Sequence, residues 1–423
     1  MPVENSNELD RTNSAEVASE DLARAFSAES AGGKTSGAAK TPVWAYALGV
    51  LGILGGVACG AAAFLIPKPE VKELEFPEIP SQAENDHIIY SRLTGLPVAS
   101  EAEVTAPTYC VQVPNGLDGA RPQAGLDEAG VVFEAIAERG ITRFAAIFQN
   151  PSSAVVGPIR SLRLYYLQWD TPFDCTIVHA GGADDALAAV KNGGYKDLTE
   201  NYEYMYRSYA GVRLWNNLFT NGTELQQFSA DRGYATSNVN GFTRMTPEEA
   251  ERARIDATVA EKLDITEASS GGTQTLTPTT TAIAIDFGWS PSFNVRYYYD
   301  AASNSYFRSY ADGEAHQVYE CPRENLGDAA PENACSLAQL NPTVVIAMEV
   351  EQHTAWDGYH EDITAIGSGT AFVFQNGVAT RGTWRKGSAA EQIRFYDENG
   401  DEIALVPGQV FVSAVPSYGE VSY

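Results

Sequence analysis

The chain has 423 residues, of which 44% are hydrophobic, so it is long enough for two or three domains with buried cores. It carries 28 lysines and arginines against 55 aspartates and glutamates, which gives a formal net charge of −27. Because affinity for nucleic acids depends mainly on basic side chains that neutralise phosphates, this balance argues against a nucleic-acid partner.

The first segments of the chain predict a polar tail, a membrane anchor and a stalk. Residues 1–42 are rich in Ser, Ala, Glu and Gly and are predicted to form a disordered cytoplasmic tail. Val43–Ile66 is uncharged and would measure about 36 Å as a helix, against a hydrocarbon core of about 30 Å. We expect a single-pass transmembrane helix in the cell membrane, an extended proline-containing stalk at 67–89, and extracytoplasmic C-terminal domains.

The apolar span raises two further hypotheses. "GVAC" before Gly60 weakly resembles a lipoprotein cleavage site, which would make Cys59 a lipid-modified residue, although "AAAFLI" follows where a polar tether is expected. Gly52, Gly56 and Gly60 are spaced four residues apart, so they predict a smooth helix face where two copies of the chain meet as a homodimer.

The remaining cysteines predict disulfides and an oxidising compartment. Cys110, Cys175, Cys321 and Cys335 form an even set C-terminal to the span. Their pairing stays open, although Cys321 and Cys335 bracket a short loop. Free buried thiols are the alternative.

The rest of the chain predicts two domains of different class. In residues 90–265, short β-branched runs such as "GVVFEAIA" alternate with helical patterns such as "ADDALAAVK", as in an α/β domain. This part ends in a polar helix with Thr246 as its N-cap and Pro247 at its first position. A flexible linker is expected at 266–281, and 282–423 reads mostly as strands, which predicts a β-rich domain.

Two arginines in "VGPIRSLRLYYLQW" are the first candidate for a binding site. Arg160 and Arg163 are three residues apart and would share one face of a predicted helix. Guanidinium groups match carboxylates and phosphates, so the pair predicts an anion site. The alternative is that both arginines simply form ion pairs with acidic residues of this very acidic chain.

The second candidate is the turn after "CTIVHA". His179 ends a β-branched run, and Gly181 and Gly182 follow before a helix that opens with Asp184 and Asp185. Ligands of α/β folds bind near the carboxyl ends of strands, where His179 is expected. The two aspartates would repel an anion unless they act only as caps or pair with the arginines or a cation.

Eight motifs follow one another in the chain: "LTGLPV", "RPQAGLDEAGVVFEAIAERGITRFAAIFQ", "VGPIRSLR" and "IVHAGG", and then "YYYD", "YFRSYADGEAH", "IGSGTAFVFQNGVATRGTW" and "LVPGQVFVSAVP". Together they resemble the YerB-like family of bacterial, extracytoplasmic, membrane-attached proteins, which are built around a domain of unknown function. The resemblance covers about residues 90–418. It implies an α/β N-terminal domain and a β-rich C-terminal domain.

The resemblance also implies a set of polar family positions. These are Arg121, Gln123, Glu134, Thr142, Arg143, Arg160, Ser161, Arg163, His179, Asn217 and Thr220, with Asp300, Arg308 and His316 in the second domain. Asn216 stands where the family pattern has a histidine, which weakens any mechanism that needs two histidines.

Three functions are compatible with these patterns. The first is a ligand-binding envelope protein, with Arg160, Arg163, His179, Ser161, Arg143, Arg121 and Asn217 around a cleft for an anion related to the cell wall. The second is an enzyme acting on cell-wall polymers or precursors, with His179 as acid or base and Glu134 as its partner. The third is a protein-protein interaction module.

Motifs for other chemistry are missing from the sequence. It contains no nucleophile elbow, Walker loop, HExxH or Cys-x-x-Cys, and no cofactor is predicted. "WDGYHED" gathers potential metal ligands, but its "DG" predicts a solvated hairpin tip instead, so no metal site is expected.

Overall fold

The structure, a computed structural model, describes residues 88–153, 155–208, 216–267, 282–320 and 335–423. The predicted tail, span and stalk, with Cys59 and the three spaced glycines, lie outside these residues, as does most of the predicted linker at 266–281. Among the described residues, no helix combines the length and apolarity that crossing a membrane requires.

Strands hold about twice as many of the described residues as helices do, so the protein is β-rich. The helices are α1 Glu101–Val104, α2 Leu164–Asp170, α3 Asp184–Gly193, α4 Gly222–Arg232 and α5 Pro247–Glu267. The strands are β1 Ile89–Tyr90, β2 Pro97–Val98, β3 Thr108–Pro114, β4 Gln123–Ala124, β5 Val131–Glu138, β6 Ile141–Gln149, β7 Thr176–His179, β8 Asp197–Thr199, β9 Tyr206–Arg207, β10 Leu218–Phe219, β11 Ala282–Asp286, β12 Val295–Asp300, β13 Ser305–Tyr310, β14 Gln317–Glu320, β15 Ser336–Gln339, β16 Val344–Val350, β17 Gln352–Thr354, β18 Glu361–Ile363, β19 Gly367–Gln375, β20 Val378–Lys386, β21 Arg394–Asp397, β22 Val410–Pro416 and β23 Glu420–Ser422.

The two predicted domains share one central sheet. Its strand order among the described residues is β21-β20-β19-β16-β22-β5-β6-β3-β7-β8. Strand β22, from the C-terminal part, runs parallel to β5 from the N-terminal part, with Val412 opposite Phe133. The sequence correctly predicts most of these strands, but a pairing between residues almost 280 positions apart carries no local signal.

Both faces of this sheet are buried. Phe133 on one face packs with Trp169 of α2, whose ring centroid is 5.4 Å away. On the other face, a smaller antiparallel sheet of order β13-β12-β11-β23 covers the C-terminal half. Strand β5 is accordingly buried along its whole length, as expected for a strand covered on both sides.

A tight turn between β5 and β6 sets the register of the two strands that carry Glu134, Glu138 and Arg143. Arg139 and Gly140 both have positive φ, 46° and 77°, as in the type I′ turns that join hairpins. The pairing shifts between Ile136 and Glu138, so Glu138 lies opposite Ile141, whereas Ile136 lies opposite Thr142. This β-bulge turns Glu138 to the opposite face from Ile136, although simple alternation would place them together.

A disulfide joins two neighbouring parallel strands near one edge of the central sheet. Cys110 of β3 and Cys175, which precedes β7, are bonded with their Cα atoms 5.7 Å apart. The prediction of disulfides is thereby confirmed for this pair. Cys335 is disulfide-bonded as well, and Cys321 lies outside the described residues.

The segment that carries the arginine pair differs from its prediction. Helix α2 begins at Leu164, and Arg163 before it has extended dihedral angles. The Arg160 N–H donates to the Gln112 carbonyl (2.8 Å), and its carbonyl accepts from the Ala180 N–H (3.0 Å). These bonds to the ends of two strands keep the segment extended, so the predicted shared helix face is wrong.

Candidate functional site

A buried ion cluster lies at the end of the β5–β6 hairpin. Glu138 accepts hydrogen bonds from Arg143 Nη2 and Arg163 Nη2, each at 2.7 Å. The side chains of Arg143 and Arg163 are only 3% and 4% exposed. Arg143 Nη1 also donates to the Ser161 carbonyl (2.7 Å). One carboxylate therefore holds two guanidinium groups, which leaves the cluster with one excess positive charge.

Arg160 extends this cluster to an open pocket of about 380 Å³, which we call the arginine pocket. Its lining residues are Pro114, Asn115, Gly116, Asp118, Glu138, Ile141, Thr142, Arg143, Arg160, Asn216 and Tyr359. Two arginines, two carboxylates and several amide and hydroxyl groups thus surround a space large enough for a small anionic group.

The electrostatics of the cluster show incomplete compensation. Burial and the nearby Arg143 lower the pKa of Arg160, and the attraction of Glu138 and Asp118 does not restore it. The pKa of Arg163 is lowered for the same two reasons. Burial raises the pKa of Glu138, but Arg143 and Arg163 outweigh it and bring the pKa below its ordinary value. An added anion would relieve the repulsion among the guanidinium groups.

Arg163 contributes to a different cavity. In an extended segment, residues three positions apart point to opposite sides, and Arg160 and Arg163 line different pockets here. Arg163 lines a second pocket of about 330 Å³, between the start of α3 and the β17–β18 hairpin. We call it the acidic pocket because its wall includes Asp184, Asp185, Asp357, Glu361 and Asp362. The predicted single cleft is therefore divided into two pockets of opposite character.

His179 lines neither of these two pockets. It lies at the end of β7, as predicted, but it is 1% exposed. Its Nδ1 is 2.7 Å from the Gly181 carbonyl and its Nε2 is 2.9 Å from Asp197 Oδ1. Both ring nitrogens are thus occupied within the protein. The predicted convergence of His179 with the arginine pair on one cleft is wrong.

Glu134 belongs to a second buried network on the other face of the sheet, which we call the closed network. Glu134 Oε2 accepts from Arg308 Nη2 at 2.7 Å, and both side chains are 0% exposed. Glu134 Oε1 accepts from Thr142 Oγ1 at 2.9 Å. Arg308 Nη1 also contacts His316 Nδ1, and His316 Nε2 donates to Gln123 Oε1 at 2.9 Å. Glu134 therefore does not partner His179, as the enzyme hypothesis required.

The closed network joins the two halves of the chain. Attraction to Glu134 raises the pKa of Arg308 in spite of burial. Burial lowers the pKa of His316 well below its ordinary value, and Arg308 and Arg121 add to the shift. His316 is therefore neutral, which agrees with its acceptance of a hydrogen bond at Nδ1. The network is a structural connection between β5 and the C-terminal strands.

The other predicted ligand residues are held by the protein itself. Arg121 Nε donates to Asn115 Oδ1 (2.8 Å), and its guanidinium carbon lies 3.8 Å from the Tyr310 ring centroid. Ser161 Oγ donates to the Ala180 carbonyl (3.2 Å). Asn217 is fully buried and accepts from Arg207 Nη1 (2.7 Å). None of the three lines the arginine pocket.

The site also includes residues that were not predicted as ligands. Glu138 lies four residues after Glu134 in an otherwise apolar strand, and such a pair of carboxylates was a usable signal. Asn216, in place of the family histidine, lines the arginine pocket and donates to Asp118 Oδ1 at 3.0 Å. Tyr359 enters from the hairpin tip, whose predicted turn is confirmed by the pairing of β17 with β18. The described residues include no group of three or more side chains placed to hold a metal ion.

Together, the shared sheet and the two ion clusters define a β-rich protein in which two sequence regions form one folded unit. The chain belongs to the family described as protein of unknown function DUF3048. Its N-terminal domain model matches residues 93–235 and its C-terminal domain model matches residues 283–412. The resemblance found in the sequence is thereby confirmed.

One similar protein and one similar crystal structure support this assignment. The chain is 26% identical over 340 residues to "Putative lipoprotein YerB" of Bacillus subtilis, covering 78% of this chain and 87% of that protein. The crystal structure of YerB from Bacillus subtilis matches with a TM-score of 0.61 at 23% identity, over 79% of this chain and 100% of that one. The structural match concerns the fold.

Proposed function

We propose that this protein is a membrane-attached, extracytoplasmic envelope protein whose arginine pocket binds an anionic group. The ligand chemistry is a carboxylate or phosphate, as found on cell-wall fragments and anionic envelope polymers. The observation that carries this proposal is the pair Arg143 and Arg160 at the pocket wall, with Arg163 bound to the same Glu138 as Arg143, in a chain whose net charge is −27.

The hydrogen-bonding state of Arg143 supports the proposal. Two of its nitrogens are satisfied by Glu138 and Ser161, but Nε is buried and has no hydrogen-bond partner among the described residues. A buried donor without an acceptor costs about 1–3 kcal/mol. Arg160, which is half-buried at the same pocket, brings a second guanidinium group to the ligand space.

The negative surface makes such a pocket selective. Anions are repelled from most of the protein, so binding concentrates where positive charge is in local excess. Asn115, Thr142 and Asn216 also line the wall, but their hydrogen-bond donors are bound to Thr142, Glu134 and Asp118, so the guanidinium groups supply the donors for an oxyanion. The two carboxylates of the pocket wall are engaged, Glu138 by Arg143 and Arg163 and Asp118 by Asn216, so we favour binding over catalysis.

The test is isothermal titration of the full-length chain in detergent with inorganic phosphate and with acetate. Arg160→Gln removes one cation from the pocket wall and is expected to weaken binding by about tenfold or more. Arg381→Gln is the matched control, because Arg381 is 59% exposed and its pair with Glu398 spans 3.7 Å. Equal binding by both variants would overturn the proposal, and the stronger of the two anions identifies the ligand chemistry.

For the mode of attachment, we propose the single-pass helix at 43–66, with lipid modification of Cys59 as the alternative. The apolar span supports the helix, whereas the name of the Bacillus relative supports a lipid. Metabolic labelling with a radioactive fatty acid separates them. A helix predicts no label and a Cys59→Ala variant that stays in the membrane fraction; labelling that Cys59→Ala abolishes would establish the lipid anchor.

A further inference from the structure

The acidic pocket is more negative than its neighbour, whose wall holds two arginines and two carboxylates. Five carboxylates line its cavity of about 330 Å³, against Arg163 and His360 as the cationic or titratable groups. Arg163 is already paired with Glu138, and His360 Nδ1 lies 2.5 Å from Asp357 Oδ2. The space inside the cavity is therefore favourable for a cation.

One of these carboxylates is buried with an unused acceptor. Glu361 is only 4% exposed, lines the cavity, and its Oε1 has no hydrogen-bond partner among the described residues. Burial raises the pKa of Glu361, which is the expected effect of a poorly solvated carboxylate. A donor entering from the cavity would satisfy this oxygen and stabilise the charged form.

An exposed aromatic side chain at the same cavity indicates the type of cation. Trp356 lines the pocket and is 90% exposed. A tryptophan face attracts organic cations through its quadrupole and also covers their apolar carbons. The carboxylates surround the cavity wall without forming a three-ligand metal group within the described parts of the chain. A distributed arrangement of this kind suits an ammonium group with several N–H donors.

The positive end of the helix dipole of α3 points to the cavity and disfavours a bound cation, but only weakly. Its N-terminus contributes about half a positive charge at the cavity. Asp184 and Asp185 stand in the first turn of the helix, and their two negative charges exceed that contribution. The net field from this side of the cavity is negative.

We propose that the acidic pocket is a binding site for an organic ammonium group, with Glu361 as hydrogen-bond acceptor and Trp356 as the aromatic wall. The site is separate from the arginine pocket and uses different side chains. A ligand that carries both an amine and an acidic group, such as a peptide, would find complementary charges on the two sides of the hairpin tip.

The experiment is isothermal titration of the full-length chain in detergent with 1,5-diaminopentane. Trp356→Ala is expected to lower the affinity by about fivefold, and Asp184→Asn combined with Asp362→Asn by more. The matched controls are Trp289→Ala, at another exposed tryptophan, and Glu398→Gln, at an exposed carboxylate outside the pocket. Both controls are expected to keep wild-type affinity.

The controls separate a site from general attraction to an acidic surface. If Trp356→Ala and Trp289→Ala bind the diamine equally, the amine binds the surface at large and the proposal is overturned. Absence of measurable binding to the wild type overturns it as well. Arg160→Gln is expected to bind the diamine normally, so failure of the arginine pocket would not be mistaken for failure of this site.

Discussion

Two carboxylates of one strand, four residues apart, have opposite surroundings in this protein. Glu134 faces the side of the sheet that the C-terminal strands cover, where Arg308 and Thr142 satisfy it without any exposure to solvent. Glu138 faces the other side, where Arg143 and Arg163 bind it at the wall of a pocket. A single β-bulge between them produces this difference.

The comparison shows that a buried arginine does not by itself indicate a binding site. In the closed network one cation meets one anion, and every partner comes from the protein. In the other cluster Glu138 alone is shared by Arg143 and Arg163, and the space beside Arg143 and Arg160 is open. The excess charge and the opening, rather than burial, identify the functional candidate.

The largest expected effect is in the closed network. Arg308→Met leaves Glu134 buried without its cation, which is expected to lower the free energy of unfolding by about 3–5 kcal/mol. Urea unfolding measures this change. Arg381→Met, at an exposed ion pair, is the control and is expected to stay within about 0.5 kcal/mol of the wild type. Near-equal stabilities for the two variants would show that the closed network is not a structural connection.

Substitution of Glu138 is expected to lower the stability of the protein and to raise its affinity for phosphate, with a smaller loss of stability than at Arg308. Glu138→Gln removes the anion that compensates Arg143 and Arg163, so we expect a loss of about 1–3 kcal/mol in unfolding free energy. The same change removes a negative charge from the wall of the arginine pocket, so affinity for inorganic phosphate is expected to rise severalfold. Unfolding and titration of one preparation test both effects. Weaker phosphate binding in a folded Glu138→Gln variant would contradict the account.

The closed network and the ion cluster at Glu138 are expected to affect stability in different pH ranges. Because the folded-state pKa of His316 lies well below 6.5, the unfolded chain binds this proton first, and stability is lost as the pH falls below about 6.5. The slope reaches at most about 1.4 kcal/mol per pH unit. The pKa of Glu138 is lowered from its ordinary value of 4.5. The contribution of Glu138 to the free energy of unfolding is therefore lost only as the pH falls below about 4.5. Urea midpoints between pH 7 and 5 should therefore fall less in His316→Gln than in the wild type, and parallel curves would contradict this.

The sequence predicts individual elements of this fold better than their assembly. The strand pattern of "GVVFEAIA" and the capping of α5 by Thr246, whose Oγ1 accepts from the Glu249 N–H at 3.2 Å, are local and were predicted. The pairing of β22 with β5 was not, because residues far apart in sequence create it.

The arginine segment illustrates the same limit at the site. Its apolar spacing favours a helix from Arg160, but backbone hydrogen bonds to Gln112 and Ala180 keep residues 160–163 extended. Tertiary contacts override the local helix propensity here. The side-chain directions that were predicted from a helix are therefore wrong as well. The bulge that turns Glu138 towards Arg143 is equally invisible in the strand's alternation. The sequence therefore identified individual candidate residues more reliably than it predicted which of them lie together at one pocket.

The most direct test of the central claim is the thermal stability of the full-length chain at increasing concentrations of inorganic phosphate. For the wild type and Arg381→Gln, a ligand at a hundred times its dissociation constant should add about 2.7 kcal/mol to the unfolding free energy. For Arg160→Gln, we expect near wild-type stability without phosphate and, because its affinity is at least tenfold lower, a gain of at most about 1.4 kcal/mol at the same phosphate concentration. Equal stabilisation of Arg160→Gln, or its unfolding without phosphate, would contradict the assignment of the arginine pocket as an anion-binding site.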